Sequence, residues 1–372
     1  MTPPTKRPKL VDVARRAGIS VATASRVLGG SGYVAPKTRA RVEKAIRELN
    51  YHPNLRARGL RQRASRGIGL IIPDLLNAYY TALADAVSQI LSQRGYHLLL
   101  AITRDDVAVE RDSFLDIVGQ AVDGLIWVPT GPDQNLLRHL RAQHIPAVSI
   151  VRRVPETPAA LDSVVFADFD GSFAAADHLV KLGHRRIGFI GGDMRYSSNH
   201  SRLLGYRAAL QAAGLPTDPA LEKAGTPRIT WGNVAAKELL GLADPPTAIF
   251  AASNALMPGV LRVLRQAGVA VPSEMSLISF DDVDWFSFSV PPITAVSCSH
   301  AQLAEVAIDL LWRRLDPDAS SSQPPVSMEI PFELVLRAST TAPRRGPLAL
   351  PGRAAPADSQ PASPAPVNST PP

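Results

Sequence analysis

Cysteine is nearly absent: Cys298 is the only one in 372 residues. No disulfide can form within the chain, and a reducing cytoplasm is the expected setting. No apolar run is long enough to span a bilayer, so no membrane association is expected. The opening MTPPTKRPK has no apolar core of the kind a signal peptide needs. Enzyme signatures are missing as well: there is no Walker A motif, no H-E-x-x-H and no G-x-S-x-G. Gly30-Ser31-Gly32-Tyr33-Val34-Ala35 has the letters of a dinucleotide loop. It follows a helical pattern where a strand is required, and is set aside. His178 and His184 have no evident metal-ligand partner, and Asp281, Asp282 and Asp284 lack calcium-loop spacing, which leaves a solvated acidic loop. Cys298 lies in the alternating run TAVSCSH and reads as a small strand or loop residue. No metal, cofactor or catalytic activity is expected.

What is present is a strongly uneven charge. Residues 1–66 carry 4 lysines and 12 arginines against Asp12, Glu43 and Glu48, while the whole chain is only +7. The remainder must therefore be net acidic. Such asymmetry suits a DNA-binding head on a body that does not bind DNA.

Within that head, Leu10, Val13, Ala14 and Ala17 share one helical face. Gly18-Ile19-Ser20 supplies a left-handed stop and an N-cap. Ala24, Val27 and Leu28 form the buried stripe of a second helix, giving helix-turn-helix architecture. Pro36 opens a third helix with Val42, Ala45, Ile46 and Leu49 inward, closed by Asn50 and Pro53. Asn54 can cap a short helix over residues 54–60, too short to stand alone in water. Residues 1–8 are expected to be disordered, 9–61 to form the head with its hinge helix, and 62–66 to be a basic linker.

From Gly67 the pattern becomes alternating strands and helices: IGLIIP, YHLLLAIT, DGLIWVP, IPAVSIV, SVVFAD, RIGFIGG, TAIFAA and MSLISFDD are short apolar strands. The fold class is α/β, an all-α head joined to a core of two lobes with parallel sheets. Lobe one is placed at about 67–165 and 297–327, lobe two at about 166–296 and 328–340. Ligands in such folds bind beyond the carboxyl ends of the strands. From Thr341 the Pro-, Ala- and Ser-rich sequence reads as a disordered tail.

DVARRAGISVATASRVLGG, VAPKTRARV and YHPN–ARGLR, followed by IGLIIPD, VDGLIWVP, LGHRRIGFIGG, VPSEMSLISFDD and FELVLRAST, resemble in order and spacing the lactose-repressor/galactose-repressor family. The likeness runs over about residues 9 to 341. It implies a homodimeric transcription repressor with a periplasmic-binding-protein-like core, a near-palindromic operator, and a small sugar-like effector between the lobes. The resemblance places Val21, Ala22 and Arg26 at base edges, Arg26 by a bidentate contact to guanine or by a phosphate contact. Ser20, Thr23, Ser25, Tyr33, Asn54 and Arg58 are placed at the DNA, and Leu60 at a minor-groove wedge position. Arg56 and Gly59 depart from the family's usual aliphatic residue and serine.

The same resemblance puts Asn77, Tyr79, Tyr80, Arg152, Arg202 and Asp281 at effector-contact positions. Phe169 stands where asparagine is common, and Ser253-Asn254 where an Asn-Asp pair is common, so the pocket has one carboxylate fewer. Trp231 either stacks on a sugar ring or packs at a helix start. The rival reading is a helix-turn-helix head fused to a sugar-processing enzyme. A solute-binding protein would need an export signal and no basic head.

Overall fold

The computed structural model describes residues 8–29, 33–49, 51, 65–131, 133–154, 161–316 and 324–348. Three helices make the head: α1 Leu10–Ala17, α2 Val21–Gly29 and α3 Pro36–Glu48. Val13, Ala24 and Val42 are fully buried where the three meet. Gly18 adopts φ +62°, and the Ile19 amide returns to the Ala14 carbonyl, closing α1 as a left-handed cap closes any helix. Ser20 Oγ accepts from the Thr23 amide at 3.1 Å and starts α2. Arg41 donates to the Gly18 carbonyl, pinning α3 to the turn.

The core holds two six-stranded sheets. Sheet one comprises β1 Gly67–Ile72, β2 His97–Ile102, β3 Gly124–Trp127, β4 Ala147–Ile150, β5 Asp162–Phe166 and β11 Ser327–Ile330, in the order β11-β5-β4-β3-β1-β2. Sheet two comprises β6 Ile187–Gly191, β7 Glu222–Ala224, β8 Ala248–Ala251, β9 Ser276–Phe280, β10 Thr294–Cys298 and β12 Phe332–Val335, in the order β12-β10-β9-β8-β6-β7. All pairings are parallel except β10 with β12. Every residue of β1, β3, β4, β5, β6, β8 and β9 is buried, because helices cover both faces. The helices that matter below are α4 Ala78–Gln93, α5 Val107–Gly119, α7 Asp168–Lys181, α8 Ser197–Ala212, α9 Ile229–Gly241 and α12 His300–Leu315. Between them lies α6 Gln134–Gln143, and α10 Met257–Gln266 and α11 Trp285–Phe288 complete lobe two. No described helix is long and apolar enough to cross a membrane.

The chain passes between the sheets three times: after β5, after β10 and after β11. Two boundaries differ from the sequence division. β10 stays in sheet two to Cys298, and β11 pairs with β5, so Ser327–Ile330 belongs wholly to sheet one. Of the remaining strands, β10 resolves the strand-or-loop alternative of the TAVSCSH run in favour of a strand, whereas β11, β12 and the three-residue β7 carry no strand expectation from sequence. The expected tail also starts later: Thr341 donates to Ser276 Oγ, Arg344 to the Pro246 and Glu274 carbonyls, and Leu348 is buried in lobe two. Ser65 and Arg66, assigned to the linker, are fastened by both oxygens of Asp123. The hinge helix 54–60, residues 1–7 and the tail from 349 lie outside the described residues.

Helices α7 and α8 approach closely at Gly205, where a Cβ would lie 2.1 Å from the Phe169 carbonyl oxygen. Backbone cannot yield as a side chain can, so Gly205→Ala should cost about 1–3 kcal/mol by overpacking. Gly119→Ala has open space around it and should cost nothing. Urea unfolding of both variants checks this; equal stabilities would remove the close approach as a constraint.

Candidate functional site

Both sheets aim their carboxyl ends at one cleft, enclosing about 640 Å³ including its open mouth. Lobe one contributes Asn77, Tyr79 and Tyr80 from the start of α4, with Asp105 after β2 and Arg152 after β4. Lobe two contributes Ser198, Asn199 and Arg202 from α8, Arg228 before α9, and Asp281 after β9. Convergence of helix starts and strand ends is what a doubly wound topology produces.

Arg202 organises the lobe-two wall. Its Nε donates to Asp168 Oδ1 at 2.7 Å, one terminal nitrogen donates to the Ala252 carbonyl at 2.7 Å, and the other lies 3.5 Å from Asp281 Oδ1. The guanidinium stacks 3.7 Å above the Phe280 ring. Burial alone would lower its pKa, but Asp281 and Asp168 more than offset this and push it up. Burial pushes the Asp168 carboxyl up to about 6, with Arg202 pulling the other way. Asp281 takes φ +64°, which a short carboxylate tolerates and which turns the side chain toward Arg202.

Arg152 is anchored rather than free. It donates to Asp105 at 2.7 Å and to the Pro129 carbonyl at 3.2 Å, and stacks 3.6 Å over Tyr196 of lobe two. The Arg153 amide donates to Ser197 Oγ, a second bond between the lobes. Val151 is held at φ +65°, a strained conformation for a β-branched residue. Asn77 caps α4 by accepting from the Tyr79 amide. Tyr79 is 6% exposed, yet its hydroxyl has no hydrogen-bond partner among the described residues. Burial raises its pKa well above the usual phenol range, so at neutral pH it is an intact O–H on a residue that lines the cleft. Burial likewise takes Tyr80 to about 12.

Six of the nine expected effector residues thus line one cavity: Asn77, Tyr79, Tyr80, Arg152, Arg202 and Asp281. Three do not. Asn254 sits behind Asp281, its amide 3.5 Å from that carboxylate. Trp231 turns its ring onto Gly225 and donates to the Gly191 carbonyl, the helix-start packing role. Phe169 is 43% exposed at the start of α7, away from the lining. Arg202 lies in the second turn of α8 rather than at its opening, because the helix begins at Ser197. The sequence reading missed Asp105, Asp168 and Arg228. The first two each follow an identified strand, so the strand-end rule would have found them. The acidic loop is not freely solvated: Asp281 faces Arg202, and Asp282 is held by both terminal nitrogens of Arg337. Among the described residues no group of three or more potential ligands could hold a metal.

On the head, Val21, Ala22 and Arg26 are exposed along α2, and Tyr33 is 90% exposed beyond it. Ser20 and Thr23 bond to each other at 2.9 Å, and Ser25 is half-buried. Asn54, Arg58 and Leu60 fall outside the described residues.

Residues 9–54 match the family described as bacterial regulatory proteins, lacI family, and residues 176–340 match a periplasmic binding protein-like domain. The HTH-type transcriptional regulator DegA of Bacillus subtilis (strain 168) is 31% identical over 335 residues, covering 89% of this chain and 98% of its own. The ribose operon repressor of Escherichia coli (strain K12) is 33% identical over 316 residues, covering 82% and 92%. A crystal structure of the lac repressor dimer bound to operator and the anti-inducer ONPF gives a TM-score of 0.78 at 27% identity, covering 91% of this chain and 100% of that one.

The raised Asp168 pKa has a defined effect on stability. The folded protein keeps this proton at pH values where the unfolded chain has lost it, so the contribution is full in acid and disappears as pH rises through about 6. Asparagine cannot ionise. The stability of the native protein relative to Asp168→Asn should therefore fall by roughly 2–3 kcal/mol from about pH 4 to about pH 7. Urea titrations across that range measure it; a difference that grows with pH would mean Arg202 outweighs burial.

Proposed function

The chain belongs to the lacI family of bacterial regulatory proteins, and we propose that it is a homodimeric repressor whose hold on a near-palindromic operator is altered by a small polyhydroxylated metabolite in the interlobe cleft. It is a DNA-binding transcription regulator, not an enzyme. The observation that carries the finer reading is that a single cavity draws its lining from both lobes. Whatever fills it biases how the lobes sit, and through them how a dimer presents two heads.

The chemistry of the lining favours hydroxyl groups. Asp281 accepts hydrogen bonds, Arg202 donates them, and Tyr79 offers a hydroxyl with no partner among the described residues. Ribose operon and lac repressors among the relatives support a sugar-like ligand by analogy. On the head, exposed Arg26 suits a guanine edge, Val21 and Ala22 suit a thymine methyl, and Ser20, Thr23, Ser25 and Tyr33 suit the backbone. The hinge residues Asn54, Arg58 and Leu60 complete this surface in the proposal. Selecting duplexes from a random pool, with and without a panel of sugars, tests it. A two-fold symmetric consensus whose affinity shifts with one sugar supports the reading; selection of no preferred sequence overturns it.

Two variants separate the halves. Arg26→Ala should relax selectivity at one base pair in each half-site, by about 1–3 kcal/mol. Binding arrays on single-base operator variants read this, and uniform weakening would assign Arg26 to phosphate instead. Tyr79→Phe removes a hydroxyl that bonds to none of the described residues, so the unliganded melting temperature and operator affinity should hold. Effector affinity should drop about tenfold, and calorimetry showing no drop would take Tyr79 out of the effector site.

A further inference from the structure

The cleft holds cations in two different states of pairing. At the inner end each arginine is already answered. Arg202 faces Asp168 and Asp281, and Arg152 is bound to Asp105. Carboxylates outnumber guanidiniums there, so a negative group would meet repulsion, while hydroxyls find acceptors and the free Tyr79 O–H. At the lobe-two lip, Arg228 is exposed and its guanidinium makes no hydrogen bond or ion pair among the described residues. It is also the N-cap residue of α9, a 13-residue helix with no side-chain cap, and Thr226, Pro227 and Arg228, which lead into that helix, all line the cavity, so the positive dipole end of α9 begins next to it. Pro227 lines this lip, and the nearby Trp231 ring is turned away onto Gly225. Stacking on that tryptophan is therefore not what this lip provides; it provides a guanidinium that no described residue answers.

Resting on the reading of the cleft as the effector site, we infer that the effector is a polyol bearing one anionic group, a carboxylate or a phosphate ester. The anion sits at the lip between Arg228 and the start of α9, and the hydroxyls turn inward to Tyr79, Arg202 and Asp281. Asp74 is a lobe-one carboxylate that lines the same cavity, and one of its oxygens already accepts from the Leu76 amide. It supplies the rival role for Arg228: a clamp to Asp74 when the lobes close.

Calorimetry on the full chain with matched probes decides between them. Ribose, glucose and cellobiose are each compared with a phosphate monoester of the same sugar, and glucose also with glucuronate. The expected result is that one anionic probe binds about tenfold more tightly than its neutral parent. Arg228→Gln should abolish that advantage and leave the parent's affinity unchanged. Whether the phosphate or the carboxylate gains identifies the group. A neutral sugar that matches or beats its anionic partners overturns this inference alone. Equal weakening of both members of a pair by Arg228→Gln also overturns it, in favour of the clamp. Failure of every probe to bind overturns it together with the sugar-like reading of the cleft.

Discussion

Burying a guanidinium is costly unless each of its donors is met, and the lobe-two wall is arranged around meeting those of Arg202. Its four partners come from three separate stretches: Asp168 at the head of α7, the Ala252 carbonyl after β8, and the Phe280 ring at the end of β9 with Asp281 directly after it. Removing one partner strands charge in a poorly solvated place. The identities of these residues, and the left-handed turn at Asp281, follow from that requirement. A positive charge fixed from behind can present its remaining edge to a ligand without first paying to be ordered. Arg152 obeys the same rule on the other lobe, with Asp105 and the Tyr196 face as partners.

At the mouth of the cleft the lobes meet through polar contacts, the stacking of Arg152 on Tyr196 and the bond from the Arg153 amide to Ser197. Such contacts can be remade at small cost, whereas the close-packed sheets beneath cannot. The molecule thus combines rigid bodies with an adjustable seam. The head is built differently. Its small apolar core of Val13, Ala24 and Val42 leaves the outward side of α2 to contact something else.

Much of this was legible in the chain. The Gly18 stop, the Ser20 cap and the stripe of Val13 and Ala17 depend only on neighbours in sequence, and they stand in the structure as read. The fully buried strands announced themselves as continuous apolar runs. What escaped depended on distant partners. Met328 and Glu329 carry no strand signal of their own, and β11 exists because β5 offers it an open edge. Thr341 to Leu348 look like the start of a featureless tail, yet Ser276, Pro246 and Glu274 hold them in place. Arg202 and Asp281 were found by likeness, but Asp168, which completes their constellation, needed the fold. Trp231 shows the converse: an aromatic ring near a cleft suggested stacking, while Gly225 had left a vacancy that the ring fills.

The threefold passage of the chain between the sheets bears on biosynthesis. Sheet one lacks its last strand until Ile330 has been made, and sheet two lacks its antiparallel edge until Val335. Both sheets therefore receive their last strands within a few residues of each other, near the end of synthesis. A nascent chain halted before about residue 330 would carry two unfinished sheet edges, and premature termination there yields no half-repressor with a working lobe.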